Sequence, residues 1–102
     1  MNKTKTLVAK TPDALARALG LDATESQEWQ VQFALLKKLR QIVSEESLTH
    51  ADVAARGGSS RTRVTAILNG DLDGVSTDLL IRLLRGLGYR VKVSVSRIEP
   101  PA

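Results

Sequence analysis

Apolar side chains recur at steps of three and four from residue 29 onward: Trp29, Phe33, Leu36, Leu39, Ile42 and Val43, with Leu35 widening the stripe. That spacing marks one face of an α-helix and predicts a long helix from about Asp22–Ser26 to about Ser44. Thr24 and Gln27 have capping-box spacing at its start. Trp29 and Phe33 lie in line with the leucines, so they read as core rather than as a platform for stacking bases. A shorter helix is expected before it, over about Pro12 to Leu19. There Thr11 is the N-cap, Pro12 the first helical residue and Gly20 the C-cap.

Further along, Thr49 with Asp52 three residues on is a second capping signature, and Gly57-Gly58 ends the short helix it opens. Ser60 can cap the next helix, expected over about 60–68, with Asn69-Gly70 closing it. After the loop Gly70–Gly74, Ser76 and Asp78 start a helix carrying Leu79, Leu80, Leu83, Leu84 and Leu87, which Gly88 stops. The period then changes to two. Tyr89, Val91, Val93 and Val95 alternate with Arg90, Lys92, Ser94 and Ser96, which predicts one strand over about 89–96. A lone strand leaves backbone donors and acceptors unpaired. Its expected partner is the same strand of a second copy, and the alternative is the run Lys5–Ala9 folding back.

The chain has 102 residues, which suits one domain. We expect a basic arm over 1–10, the domain over 11–96 and a tail over 97–102. Aromatic residues make up only 3% of the sequence, so the core must be aliphatic. The formal net charge of +4 favours an anionic partner, though weakly. Its distribution says more: between Val53 and Gly70 there is no acid, but there are three arginines, Arg56, Arg61 and Arg63.

No cysteine is present, which removes disulfides, thiol nucleophiles and Cys-based zinc sites. The single histidine, His50, has no partner for catalysis, and nearby Thr49 and Asp52 are accounted for as caps. No catalytic residue, metal site or cofactor is expected, and the chain does not read as an enzyme. The apolar run Leu7–Ala9 is too short for a membrane span or a signal-peptide core, so a soluble cytoplasmic protein is expected.

Residues 50–69 meet the steric demands of two helices that cross closely around a tight turn. A small residue, Ala54, stands mid-way along the first helix. Gly58, four residues later, can adopt positive φ in the turn. Val64 and Ile67 can anchor the inner face of the second helix, which leaves Arg61, Thr62 and Thr65 outward. In these positions Leu48 to Gly70 resembles the Cro/repressor-type (XRE) helix-turn-helix family. Val75 to Val93 resembles the last helix and terminal strand of HigA-type antitoxins within it. Together the likeness covers about three quarters of the chain. Gly57 and Ser59 depart from the apolar residues usual beside the turn glycine, which suggests a less well anchored turn. His50 stands where Gln is common, and Arg61-Thr62 replace a frequent Gln-Pro.

The resemblance implies a mainly α, five-helix, lambda-repressor-like DNA-binding domain with one C-terminal β-strand paired across a dimer. It also implies that Arg61, Thr62, Thr65 and Ala66 approach base edges. An arginine can donate to guanine O6 and N7, while Thr and Ala methyls suit thymine. His50, Ser60, Arg63 and Asn69 are placed for phosphates. The expected partners are double-stranded DNA with an inverted repeat and a second copy of the chain. A small RelE/HigB-like toxin is a further candidate, and no membrane is expected. The implied function is a nucleoid-associated repressor that is the antitoxin of a type II toxin-antitoxin pair. A stand-alone phage-type repressor and a protein-binding scaffold are the alternatives.

Overall fold

The computed structural model describes residues 22–98. The expected arm, the helix over Pro12–Leu19 and the run Lys5–Ala9 lie outside the described residues. Those described form four helices: α1 (Ala23–Glu45), α2 (His50–Gly57), α3 (Arg61–Leu68) and α4 (Thr77–Gly86).

Short polar side chains start each of them. At α1 the capping box is Asp22 with Glu25, two residues ahead of the expected Thr24 and Gln27. The Glu25 amide donates to Asp22 Oδ1 at 2.7 Å, and the Asp22 amide donates to Glu25 Oε1 at 3.1 Å. Two carboxylates at the positive end of a 23-residue helix gain from its dipole as a neutral pair would not. Thr49 and Asp52 form the same reciprocal box at α2. Ser60 and Ser76 accept from the amides of Arg63 and Leu79, each at 3.1 Å. Each cap is worth about 1 kcal/mol.

The helices enclose one aliphatic core. Leu36, Leu39 and Ile42 come from α1, Val53 and Ala54 from α2, and Val64 and Ile67 from α3. Leu79, Leu80, Leu83, Leu84 and Leu87 complete it. Trp29 and Phe33 are not part of it. They are half-buried and stacked on each other, ring centroids 4.9 Å apart and planes 10° from parallel. Among the described residues, α3 and α4, about 12 and 15 Å long, meet α1, roughly 35 Å long, mainly over its C-terminal half. Near Trp29 the contact is polar, with Gln32 Nε2 donating to the Val75 carbonyl at 2.9 Å.

The C-terminal ends of α2 and α4 meet backbone to backbone. A β-carbon on Gly57 would stand 2.5 Å from Leu83 Cδ2 and 3.2 Å from Leu83 Cα. One on Gly86 would run into the Arg56 carbonyl and the Gly57 amide nitrogen. Gly57 therefore does not loosen the turn as its departure from the apolar pattern suggested. It admits α4 so closely that a side chain there would require Leu83 to shift.

After α4 the run 89–98 forms no strand among the described residues. The Tyr89 hydroxyl donates to Glu46, and Val91 packs on the core. Val93 and Val95 are 82% and 90% exposed. The alternating pattern at Tyr89, Val91, Val93 and Val95 does not become a ladder within the described chain, because a ladder needs a second strand. Of the two expected, one lies at residues 5–9 and the other on a second copy. No helix among the described residues is long and apolar enough to cross a membrane.

Candidate nucleic-acid interface

The α2–turn–α3 unit holds one helix out from the core by a few local devices. Ala54, 5% exposed, lets α2 lie close to its neighbours. Gly58 takes φ +68° at the end of α2, and the Ser59 amide then donates to the Ala54 carbonyl at 2.9 Å. This left-handed residue reverses the chain within three positions, so Ser60 can open α3. Val64 and Ile67 are fully buried and hold the inner edge of α3 in the core.

On the outer edge Arg61, Thr62 and Arg63 are exposed, while Thr65 and Ala66 are half-buried. Arg61, Thr62 and Thr65 line one shallow hollow. The side chains of Arg61 and Thr62 have no hydrogen-bond or ionic partner among the described residues. Beside them, His50 at the start of α2 reaches across so that its Nδ1 stands 2.7 Å from Thr65 Oγ1. Arg61, Thr62, Thr65 and His50 are thus brought together.

The other predicted residues divide. Ser60 is present at the same end of α3, but its hydroxyl oxygen already caps the helix. Arg63 Nη2 donates to the Gly74 carbonyl at 3.2 Å, which turns this arginine toward the loop after α3. Asn69 lies at the opposite end, about 14 Å along the helix from Ser60, with φ −84°. The positive φ there belongs to Gly70, at +97°. Ala66 borders a second groove with Thr62, Arg63, Asp71 and Asp73. The acid-free stretch therefore has carboxylates brought back alongside it, and the two outer edges of α3 differ in charge.

One positioning residue was missed. Arg40 on α1 donates from Nε to the Leu68 carbonyl at 2.9 Å, satisfying a free carbonyl at the C-terminus of α3 and placing a cation at its negative end. In sequence it is only a basic residue off the apolar stripe, and nothing local connects it to a carbonyl 28 positions away. Asp52 stays a cap. The Thr49 amide and hydroxyl, and then the charge of Arg56, hold its carboxyl below the ordinary range. No cluster of metal-ligating side chains occurs among the described residues.

Residues 16–96 match a family described as a helix-turn-helix domain. The chain belongs to the helix-turn-helix domain family. No curated protein and no solved structure matches it. In this helix-turn-helix domain α2, the turn at Gly58 and α3 fall within the matched residues, and membership of the family implies DNA binding. The match also extends over 89–96, so this segment belongs to the unit that defines the family.

Proposed function

We propose that the protein is a sequence-specific transcriptional repressor of the Cro/repressor type that reads the major groove of double-stranded DNA with α3. The observation that carries this reading is the two-sided character of α3: Val64 and Ile67 are fully buried, while Arg61 stands exposed at the N-terminal end with its guanidinium unclaimed. A five-donor fork free of internal partners is suited to the O6 and N7 of guanine. Thr62, Thr65 and Ala66 are the further base-facing positions. His50 and Ser60 lie at the helix ends that approach phosphates, with Arg63 and Asn69 in supporting positions.

The protein acts as a homodimer in this reading. Val93 and Val95 are exposed on an alternating run, and pairing Tyr89 to Val95 with the same run of a second copy would give its backbone partners and cover the valines. Two recognition helices then address half-sites about 10 bp, or 34 Å, apart. The finer assignment is antitoxin of a type II pair that represses its own operon and captures a small RelE/HigB-like toxin. It is supported by the likeness of residues 75–93 to HigA-type antitoxins.

Selection of bound duplexes from a random pool tests the reading. An inverted repeat with that spacing should emerge. Arg61→Ala should then lose roughly 1 to 3 kcal/mol on the selected duplex and relax one base position per half-site. An equal loss on all sequences would mean that Arg61 meets only phosphate.

A further inference from the structure

We infer that Thr65 presents its methyl group to DNA rather than its hydroxyl, that His50 imposes this choice, and that the position therefore selects thymine. The inference rests on the DNA-reading proposal above. Thr65 lies one turn after Arg61 on the same stripe of α3 and shares a hollow with Arg61 and Thr62. Its Oγ1 is 2.7 Å from His50 Nδ1, within the range of a good hydrogen bond.

A threonine hydroxyl has one proton to give. Where Nδ1 is bare, Thr65 spends that proton on the ring and has none for guanine N7, guanine O6 or thymine O4. Where Nδ1 carries hydrogen, the ring donates and still holds the oxygen toward α2. In the second case the hydroxyl keeps its own proton, but in both tautomers the oxygen is turned toward His50 and the γ-methyl is the group turned to the hollow. Turning the hydroxyl outward would break the bond and leave a half-buried imidazole nitrogen unpaired, which favours the arrangement with the oxygen toward His50.

In the major groove the complement of a methyl group is the C5 methyl of thymine. One turn of α3 advances about 5.4 Å and one base pair about 3.4 Å. The thymine should therefore lie one or two base pairs from the guanine taken by Arg61. His50 acts here as a positioning residue: it touches Thr65 and sets which group of that side chain faces the base.

The test uses the full-length protein and the duplex of highest affinity from the random pool, with each thymine replaced in turn by deoxyuracil. At one thymine per half-site, loss of the methyl should weaken binding by about fourfold, the value of one buried methyl group. The penalty should persist in Thr65→Val, which keeps a methyl, and vanish in Thr65→Ser, which keeps only the hydroxyl. In His50→Ala the freed hydroxyl should shrink it.

A uracil scan of the unaltered protein without effect at any thymine overturns the inference, and so does a penalty that survives in Thr65→Ser. The scan requires no variant to fold. If the random pool yields no enriched sequence, the DNA-reading proposal fails and this inference with it. Enrichment followed by a silent scan removes only the Thr65 assignment.

Discussion

The contact between Gly57 and Gly86 allows a quantitative test of how α2 is held, and α3 depends on α2. In an unobstructed helix, replacing Gly86 by alanine should stabilise by about 1 kcal/mol through helix propensity alone. Here the new β-carbon would stand 2.6 Å from the Arg56 carbonyl carbon and 2.9 Å from the Gly57 nitrogen. Both are backbone atoms, so no rotamer change relieves the overlap and the two helices must separate. Overpacking costs about 1–3 kcal/mol, and a backbone obstacle places this case at the upper end. The net expectation is a loss of about 2 kcal/mol, or roughly 10 °C in melting temperature for a domain of this size.

Neighbouring glycines supply the comparison. At Gly57 the nearest obstacle is Leu83 Cδ2, the end of a flexible side chain, with Leu83 Cα at 3.2 Å. Gly57→Ala should therefore fall within about 1 kcal/mol of the unaltered protein, strain and propensity nearly offsetting. Nothing lies within 4 Å of a β-carbon on Gly58, where φ is +68°. Its alanine variant should lose only the left-handed penalty, about 1 kcal/mol. Thermal unfolding followed by far-ultraviolet circular dichroism ranks the three. A Gly86→Ala protein that melts at or above the wild-type temperature would refute the backbone contact, and with it the seating of α2 described here.

Three further outcomes are expected. Donation to Glu46 holds the Tyr89 phenol above its ordinary value, so its contribution is complete below about pH 10 and is lost as pH rises through the raised folded value; Tyr89→Phe should abolish this alkaline loss in a pH series of melting temperatures. The Asp52 carboxyl is held below the ordinary range, so the α2 cap contributes fully above about pH 4 and is lost as pH falls through the lowered folded value. A Thr49→Ala protein should show a smaller acid loss and melt about 1 kcal/mol less stable at neutral pH. Placing lysine at Val93 and Val95 together should yield a monomer by light scattering with an unchanged melting profile at low concentration, whereas a persistent dimer would move the proposed interface elsewhere.

What could be read from the sequence was what depends on residues three or four apart. Thr49, Ser60 and Ser76 each meet an amide three residues on, and the leucines of α4 repeat within one helix. Such relations are decided by helix geometry before the tertiary structure is considered. The misread positions depend on distant partners. Trp29 and Phe33 continue a faultless stripe, but among the described residues the core gathers on the C-terminal half of α1. Gly57 looked like a defect in the turn because Leu83, the residue it faces, lies on another helix, about 26 positions further along the chain. Asp71 and Asp73 fall just past the acid-free stretch in sequence, yet they border the same helix in space.

The same distinction changes how the positive charge of this region is understood. Counted along the chain, Arg56, Arg61 and Arg63 form one cationic stretch. In the fold they have separate roles. Arg56 lies in the last turn of α2, where a cation opposes the negative end of the helix, and it also acts on Asp52. Arg63 spans to Gly74, and Arg40, from outside the stretch, holds the far end of α3. Together with Val64 and Ile67 beneath and His50 alongside, they fix α3 from several directions. Among the described residues Arg61 has neither a hydrogen-bond partner nor a carboxylate that its charge is seen to act on. In the proposed reading of DNA, an arginine carried on a helix held in this way would serve sequence readout better than three mobile cations, because its donors meet a base only if the helix that carries them is already in place.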